Sequence, residues 1–163
     1  MLQPIYAALS LFMGMSLLFG GCAGSKGGGA KSSSTQNLVG DWIVVSHKTP
    51  GVSAVSDSEA ATWYGTEVHY GPDQATSGTR TCVQPQYRFH TSRVDSFLRI
   101  GYRIDPKELG YTGSEKSRIG VTQIQCGGTP WRAIGGFLIW IDDDHAYSIW
   151  DGAFFEMQRK SKK

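Results

Sequence analysis

The chain has 163 residues, and its 16 Lys and Arg against 14 Asp and Glu give a formal net charge of +2 at pH 7. This length favours a single domain, and so small a charge gives no support for nucleic-acid binding. Apolar residues make up 40% of the chain and charged residues 18%, which excludes a highly charged disordered chain and a coiled coil.

The N-terminal segment, residues 1–21, carries no charged side chain and contains a long apolar run that ends in Gly20-Gly21. This pattern predicts a secretory signal peptide rather than a membrane-spanning helix. The stretch from Leu18 to Cys22 resembles the lipobox of bacterial lipoproteins. In that family the signal peptidase cuts before the cysteine, and its thiol carries a diacylglycerol, so the resemblance implies a covalent lipid on Cys22. The alternatives are an ordinary secreted protein and an uncleaved N-terminal anchor.

Residues 22–36 are rich in glycine and serine, a composition that behaves as a flexible coil. We therefore expect this segment to tether a folded module to a membrane. Ala23, not Asp, follows the cysteine, and the resemblance to lipoproteins then implies an outer-membrane location, facing the periplasm. Exposure on the cell surface and secretion are the alternatives.

The other two cysteines are Cys82 and Cys126. If Cys22 is acylated, they form an even pair in an oxidising compartment, and we expect a disulfide between them. The alternative is two free buried thiols.

Residues 37–159 alternate short apolar runs with turn residues, which predicts an all-β domain. With no long helical pattern between the strands, neighbours are expected to pair antiparallel. We expect a small closed or nearly closed barrel of about eight strands, with one or two short helices. A capping box at residues 56–59 predicts one helix, and Pro106 after Asp105 predicts one further helical turn. The predicted strands are 42–47, 66–70, 80–83, 86–90, 97–104, 118–126, 137–141, 146–150 and 153–159.

The first predicted strand begins with Gly40-Asp41-Trp42, which resembles the Gly-x-Trp opening of the calycins: lipocalins, fatty-acid-binding proteins and avidins. In that superfamily the tryptophan closes one end of the barrel against a basic residue from the last strand. Residues 155, 157 and 159 share one face by period two, so Arg159 is expected to lie over the ring of Trp42. The alternative is that Trp42 is an ordinary core aromatic.

The calycin resemblance implies a barrel that binds an apolar or amphipathic small ligand. We expect such a cavity to be lined by inward positions, namely Val44, Tyr147, Ile149 and Phe155. The alternative is a protein-binding or structural envelope lipoprotein, similar to the small disulfide-linked barrel lipoproteins that inhibit lysozymes. This second hypothesis predicts a filled barrel and a binding patch near loops 48–64 or 127–136.

Catalytic and metal-binding motifs are not apparent, so we expect neither enzyme activity, nor a metal, nor a cofactor apart from the lipid. The chain has no Gly-x-Ser-x-Gly elbow and no P-loop. The three acidic residues 142–144 are typical of an exposed turn. The histidines have no metal-ligand spacing, so we expect them to be solvated or hydrogen-bonded. Residues 69 and 90 lie in predicted strands, and a contact between them across a sheet is the alternative. The four histidines are His47, His69, His90 and His145.

The charge is unevenly distributed along the chain. Two basic residues lie in the tether and four in residues 159–163, so ten basic residues remain against all 14 acidic ones in 37–158, a charge of about −4. We therefore expect the basic tail, 160–163, and the tether to face an anionic membrane surface or cell-wall polymer.

Overall fold

The computed structural model describes residues 38–114 and 116–161, which belong to a unit of the chain that spans residues 31–163. The expected signal peptide, the lipid-attachment site at Cys22 and the tether lie outside the described residues. The last two residues of the basic tail also lie outside them.

Within the described residues, ten antiparallel strands form a single sheet in the order β4-β3-β2-β1-β10-β9-β8-β6-β5, and the short β7 pairs with β6. The last strand of the chain therefore lies in the middle of the sheet, between β1 and β9. The strands are β1 (Gly40–Lys48), β2 (Glu67–Tyr70), β3 (Gln74–Ser77), β4 (Arg80–Val83), β5 (Gln86–Arg93), β6 (Arg118–Cys126), β7 (Thr129–Pro130), β8 (Phe137–Trp140), β9 (His145–Trp150) and β10 (Ala153–Arg159).

The sheet curls into a half-barrel, and two contacts link the regions near its two ends. Strands β4 and β5 follow each other in the chain but lie at opposite ends of the sheet. The disulfide between Cys82 on β4 and Cys126 on β6 brings their Cα atoms to 5.5 Å. Nearby, the Tyr87 hydroxyl on β5 donates a 2.7 Å hydrogen bond to the carbonyl of Gly71. The expected small antiparallel all-β fold and the expected cysteine pairing are both confirmed.

The concave face of the sheet holds the first hydrophobic core. Its largest fully buried members are Trp42, Tyr70 and Phe155. Trp42 and Trp140 meet edge to face, with ring centroids 5.6 Å apart. Such pairs add roughly 0.5–1.5 kcal/mol beyond the area that they bury.

A second core covers the opposite face of strands β6 and β8–β10. A π-helix, Asp95–Tyr102, supplies Leu98 and Tyr102 to this core. The predicted strand at 97–104 is therefore wrong. Residues 94, 98 and 102 pack on the same side at a spacing of four, which is a helical period and not the alternation of a strand. The helix ends at Arg103, which has a left-handed φ of 57°.

The two predicted helical segments are confirmed. Helix α1 spans Asp57–Ala61, and the Ser56 hydroxyl at its N-cap accepts a hydrogen bond from the Glu59 amide. The 3₁₀ turn Pro106–Leu109 has a complete capping box and ends at Gly110, which has a φ of 75°. Strand β3 was not predicted, because its four residues, Gln-Ala-Thr-Ser, form no apolar run.

Candidate functional site

One end of the half-barrel is closed by residues from its first and last strands. The guanidinium of Arg159 lies over the indole of Trp42, with Cζ 4.4 Å from the ring centroid. The indole Nε1 donates to the carbonyl of Leu38, and Arg159 Nη1 donates to that of Val39. A Cβ on Gly40, which has a φ of 132°, would lie 3.1 Å from the same Nη1. The structure thus brings together the three expected closure residues, Gly40, Trp42 and Arg159.

The four expected ligand-lining residues do not face one cavity. Val44 and Phe155 belong to the concave core, whereas Tyr147 and Ile149 belong to the core on the opposite face. Phe155 pairs with Ser148 across β9 and β10, so the neighbours of Ser148 must point the other way. Burial in that second core raises the pKa of Tyr147 to about 12. The prediction that Tyr147 and Ile149 point inward is therefore wrong.

A loop of the chain itself occupies the space between β2 and β9. We call residues 131–136, between β7 and β8, the plug. The amide of Gly135 donates a 2.7 Å hydrogen bond to the hydroxyl of Ser148 on β9. Its carbonyl accepts one of 2.7 Å from Tyr70 on β2. All three residues are buried, so backbone fills the part of the concave side that a ligand between these strands would need.

Two neighbouring clefts lie at the end of the half-barrel opposite Trp42, and both are lined by Arg80. We call the pair of clefts the Arg80 groove. The larger has a volume of about 820 Å³, and its walls come from β4, β7 and the first residues of the plug. The smaller has a volume of about 400 Å³ and lies between Trp63, Trp150 and the middle of the plug, Ala133-Ile134.

The larger cleft is basic. Arg80 and Arg132 line it, both are exposed, and its lining contains no Asp or Glu. Within the described ranges, neither guanidinium lies within ion-pair distance of a carboxylate. The cleft is also lined by the exposed Pro130 and by Trp131, which is only 9% exposed. The cleft thus combines two available cations with an apolar surface.

A polar cluster attaches the segment that carries Trp63 to the end of β1. His47 Nε2 lies 3.2 Å from an Asp57 carboxylate oxygen, and Nδ1 lies 2.6 Å from the Tyr64 hydroxyl. Since a carboxylate only accepts, Nε2 donates, and in the neutral ring Nδ1 accepts from Tyr64. Hydrogen bonds from Thr49 and then from His47 lower the pKa of Asp57. Sequence reasoning missed this cluster, because nothing in the spacing of these residues indicates that the helix folds back onto β1.

The remaining histidines lie apart from each other. His69 contacts Asp41 at 2.7 Å, and His145 contacts Asp142 at 2.9 Å. His69 and His90 lie on β2 and β5, which are not paired, so they do not meet across the sheet. Asp142 accepts hydrogen bonds from the amides of the next turn residues, which gives the acidic run at 142–144 a structural role. Within the described part of the chain, no three His, Cys, Asp or Glu residues group closely enough to hold a metal ion.

Comparison of the chain with protein-family models, with curated proteins and with solved structures found no match. Among the helices of residues 38–114 and 116–161, none has the length and apolar character needed to cross a membrane.

Proposed function

We propose that the protein is a lipid-anchored cell-envelope protein that binds a partner protein in the Arg80 groove. The observation that carries this proposal is the plug: Gly135 is hydrogen-bonded to both β2 and β9, where an enclosed ligand would otherwise lie. The volume that is open to a partner lies instead at the end of the half-barrel, over Arg80.

The proposed role is binding without catalysis. The residues that line the two clefts include threonine hydroxyls but no His, Asp or Glu that would serve as a general base. In contrast, three tryptophans and two arginines line the two clefts, and these residue types often dominate the binding energy at protein interfaces.

The proposed anchoring follows from the sequence. A lipid on Cys22, the tether of residues 22–36 and Ala23 after the cysteine are the basis for an outer-membrane location facing the periplasm. To test the anchor, Cys22→Ser is compared with the wild type by membrane fractionation. The variant should move to the soluble fraction, and a variant that stays with the membrane would rule the lipid anchor out.

The groove is tested by site-specific photo-crosslinking in cells. A photoreactive amino acid is placed at Thr79 and at Thr129, which line the two clefts. The matched control is Thr112, which is exposed next to the 3₁₀ turn. We expect one discrete protein adduct from each groove position and none from Thr112. The same adducts from all three positions, or none from the groove, would contradict the proposal.

A second candidate, a small apolar or amphipathic ligand, is favoured by the smaller cleft. There the half-buried rings of Trp63 and Trp150 lie beside the apolar side chains of Ala133 and Ile134. Native mass spectrometry of protein extracted from membranes distinguishes the two candidates. A bound small molecule that is lost in Trp150→Ala but kept in Arg132→Gln would support the ligand function.

A further inference from the structure

We propose that the larger cleft of the Arg80 groove binds an extended acidic peptide segment, which pairs with the free edge of β4 and places carboxylates against Arg80 and Arg132. This inference rests on the proposed function and specifies the chemistry of the partner.

The first argument is the unpaired edge of β4. This strand ends the sheet, so among the described residues it pairs with β3 alone. The amide of Gln84 donates to the carbonyl of Asp73, which lies opposite it in register. Hydrogen-bonded pairs alternate along an antiparallel ladder, so the next ones fall at Cys82 and Arg80. The amide and carbonyl of Thr81 therefore point away from β3.

Thr81 also lines the larger cleft, so its outward backbone groups lie where a ligand would enter. On the same strand the side chain of Val83 is 67% exposed. Sheet edges of this kind bind extended peptides by strand addition, in which main-chain hydrogen bonds provide affinity and pockets for alternate side chains provide specificity.

The second argument is charge. Among the described residues that line this cleft, Arg80 and Arg132 alone are charged, while residues 37–158 have a charge of about −4. The cleft is therefore a local basic site on an acidic module. Guanidinium groups bind carboxylates in paired hydrogen bonds that are stronger than neutral ones. In an extended peptide, side chains two residues apart lie on one face, so alternate acidic residues would pair with both arginines.

The third argument separates a peptide from other anions. A free phosphate or a lipid headgroup would satisfy the two arginines but would leave the amide and carbonyl of Thr81 unused. Pro130, which is exposed, offers an apolar surface next to the arginines, on which an intervening apolar side chain of a peptide can pack. An acidic peptide uses all of these features together.

The test uses a fluorescent eight-residue peptide of alternating Glu and Val, capped at both ends, and the full folded domain of the protein. We expect fluorescence anisotropy to show binding with a dissociation constant below about 1 mM. Arg80→Gln and Arg132→Gln should each weaken binding by about tenfold, because each removes one charge pair. The matched control is Arg93→Gln, which removes the same charge at the far end of β5 and should change binding less than about twofold.

Three further measurements decide between the possible ligands. A Lys-Val peptide of the same length should not bind. An analogue of the acidic peptide that is N-methylated at alternate residues should bind at least about tenfold more weakly, because it cannot form hydrogen bonds along the edge of β4. Inorganic phosphate should not compete at millimolar concentration. Equal binding of the N-methylated analogue, equal binding of the Lys-Val peptide, or full competition by phosphate would each overturn the inference.

Failure of this inference is distinguishable from failure of the proposed function. If crosslinking at Thr79 and Thr129 in cells is unchanged in the Arg80→Gln and Arg132→Gln variants, a partner does bind in the groove, but its recognition does not depend on acidic groups. If crosslinking is absent from the wild type, the proposed function itself fails.

Discussion

The Tyr70 hydroxyl on β2 donates a hydrogen bond of 2.7 Å to the carbonyl of Gly135, across the concave side of the sheet. Gly135 has a φ of 89°, and a Cβ at this position would overlap the Tyr70 hydroxyl and lie 2.9 Å from Val68 Cγ1. Glycine is therefore required here both for its backbone conformation and for the close approach of β2.

Gly135→Ala should lower the free energy of unfolding by about 2–4 kcal/mol, because it adds a steric clash in the core to backbone strain. The matched control is Gly110→Ala, since Gly110 has a similar φ of 75° but no atom within 4 Å of its Cβ position. In that control the free energy of unfolding should fall only by the cost of the backbone strain, about 1 kcal/mol. Urea unfolding measures both variants. Equal losses of unfolding free energy would mean that the clash at residue 135 adds no cost beyond backbone strain.

Removal of the Cys82–Cys126 disulfide should destabilise the domain by roughly 3–4 kcal/mol in the loop-entropy model, because the bond closes a loop with a sequence separation of 44. The comparison is best made in a Cys22→Ser background, so that no other thiol is present. Cys82→Ser combined with Cys126→Ser is measured by urea unfolding with and without reductant. Reductant should destabilise the parent and leave the double variant unchanged; a parent that is insensitive to reductant would contradict the pairing.

Arg159→Met should lower the free energy of unfolding by about 1–2 kcal/mol, since it removes the cation over Trp42 and leaves the carbonyl of Val39 without this donor. The neighbouring Lys160 provides the control. It pairs with Glu67 at 2.6 Å, but both side chains are well exposed, so Lys160→Met should lower the free energy of unfolding less than Arg159→Met does. In a double-mutant cycle with Trp42→Leu, the absence of coupling between Arg159 and Trp42 would argue against the closure role.

Asp57 should make the domain sensitive to acid. Its pKa in the folded state is lowered, first by the hydrogen bond from Thr49 and then by that from His47. A depressed folded pKa adds stability that is present above the unfolded value, about 3.9, and is lost as the pH falls through the folded value. The stability difference between wild type and Asp57→Asn should therefore shrink as the pH is lowered from about 5 towards 3. Thr49→Val removes the hydrogen bond that lowers the pKa of Asp57 most, so it should flatten this pH dependence. An unchanged dependence of stability on pH would contradict this role of Thr49.

The closed end of the half-barrel could be predicted from the sequence because Gly40-Asp41-Trp42 resembles a known strand opening, which implies a basic partner for Trp42 from the last strand. The period-two pattern of the last strand places Arg159 on a definite face, and the bounds of β6 and β10 match the predicted ones. The inward direction of Tyr147 could not be predicted in the same way. Strand β9 is covered on both faces, so its apolar residues do not alternate with polar ones and give no signal of direction.

The groove could not be predicted, because its walls come from segments far apart in the chain. Arg80 and Trp131 are about 50 residues apart and meet only after the sheet curls and the disulfide forms. The plug could not be predicted either. The sequence Gly135-Gly136 indicates a turn, but it does not indicate that this turn packs against Tyr70.

The central position of β10 also governs when the domain can assemble. Without Ala153–Arg159, strands β1–β4 and strands β5–β9 would form two separate sheets, each with an open edge where β10 belongs. A chain that emerges from its N-terminus must therefore wait for β10 before the two halves can join. Truncation before Ala153 should leave the open edges of both halves exposed to aggregation and proteolysis.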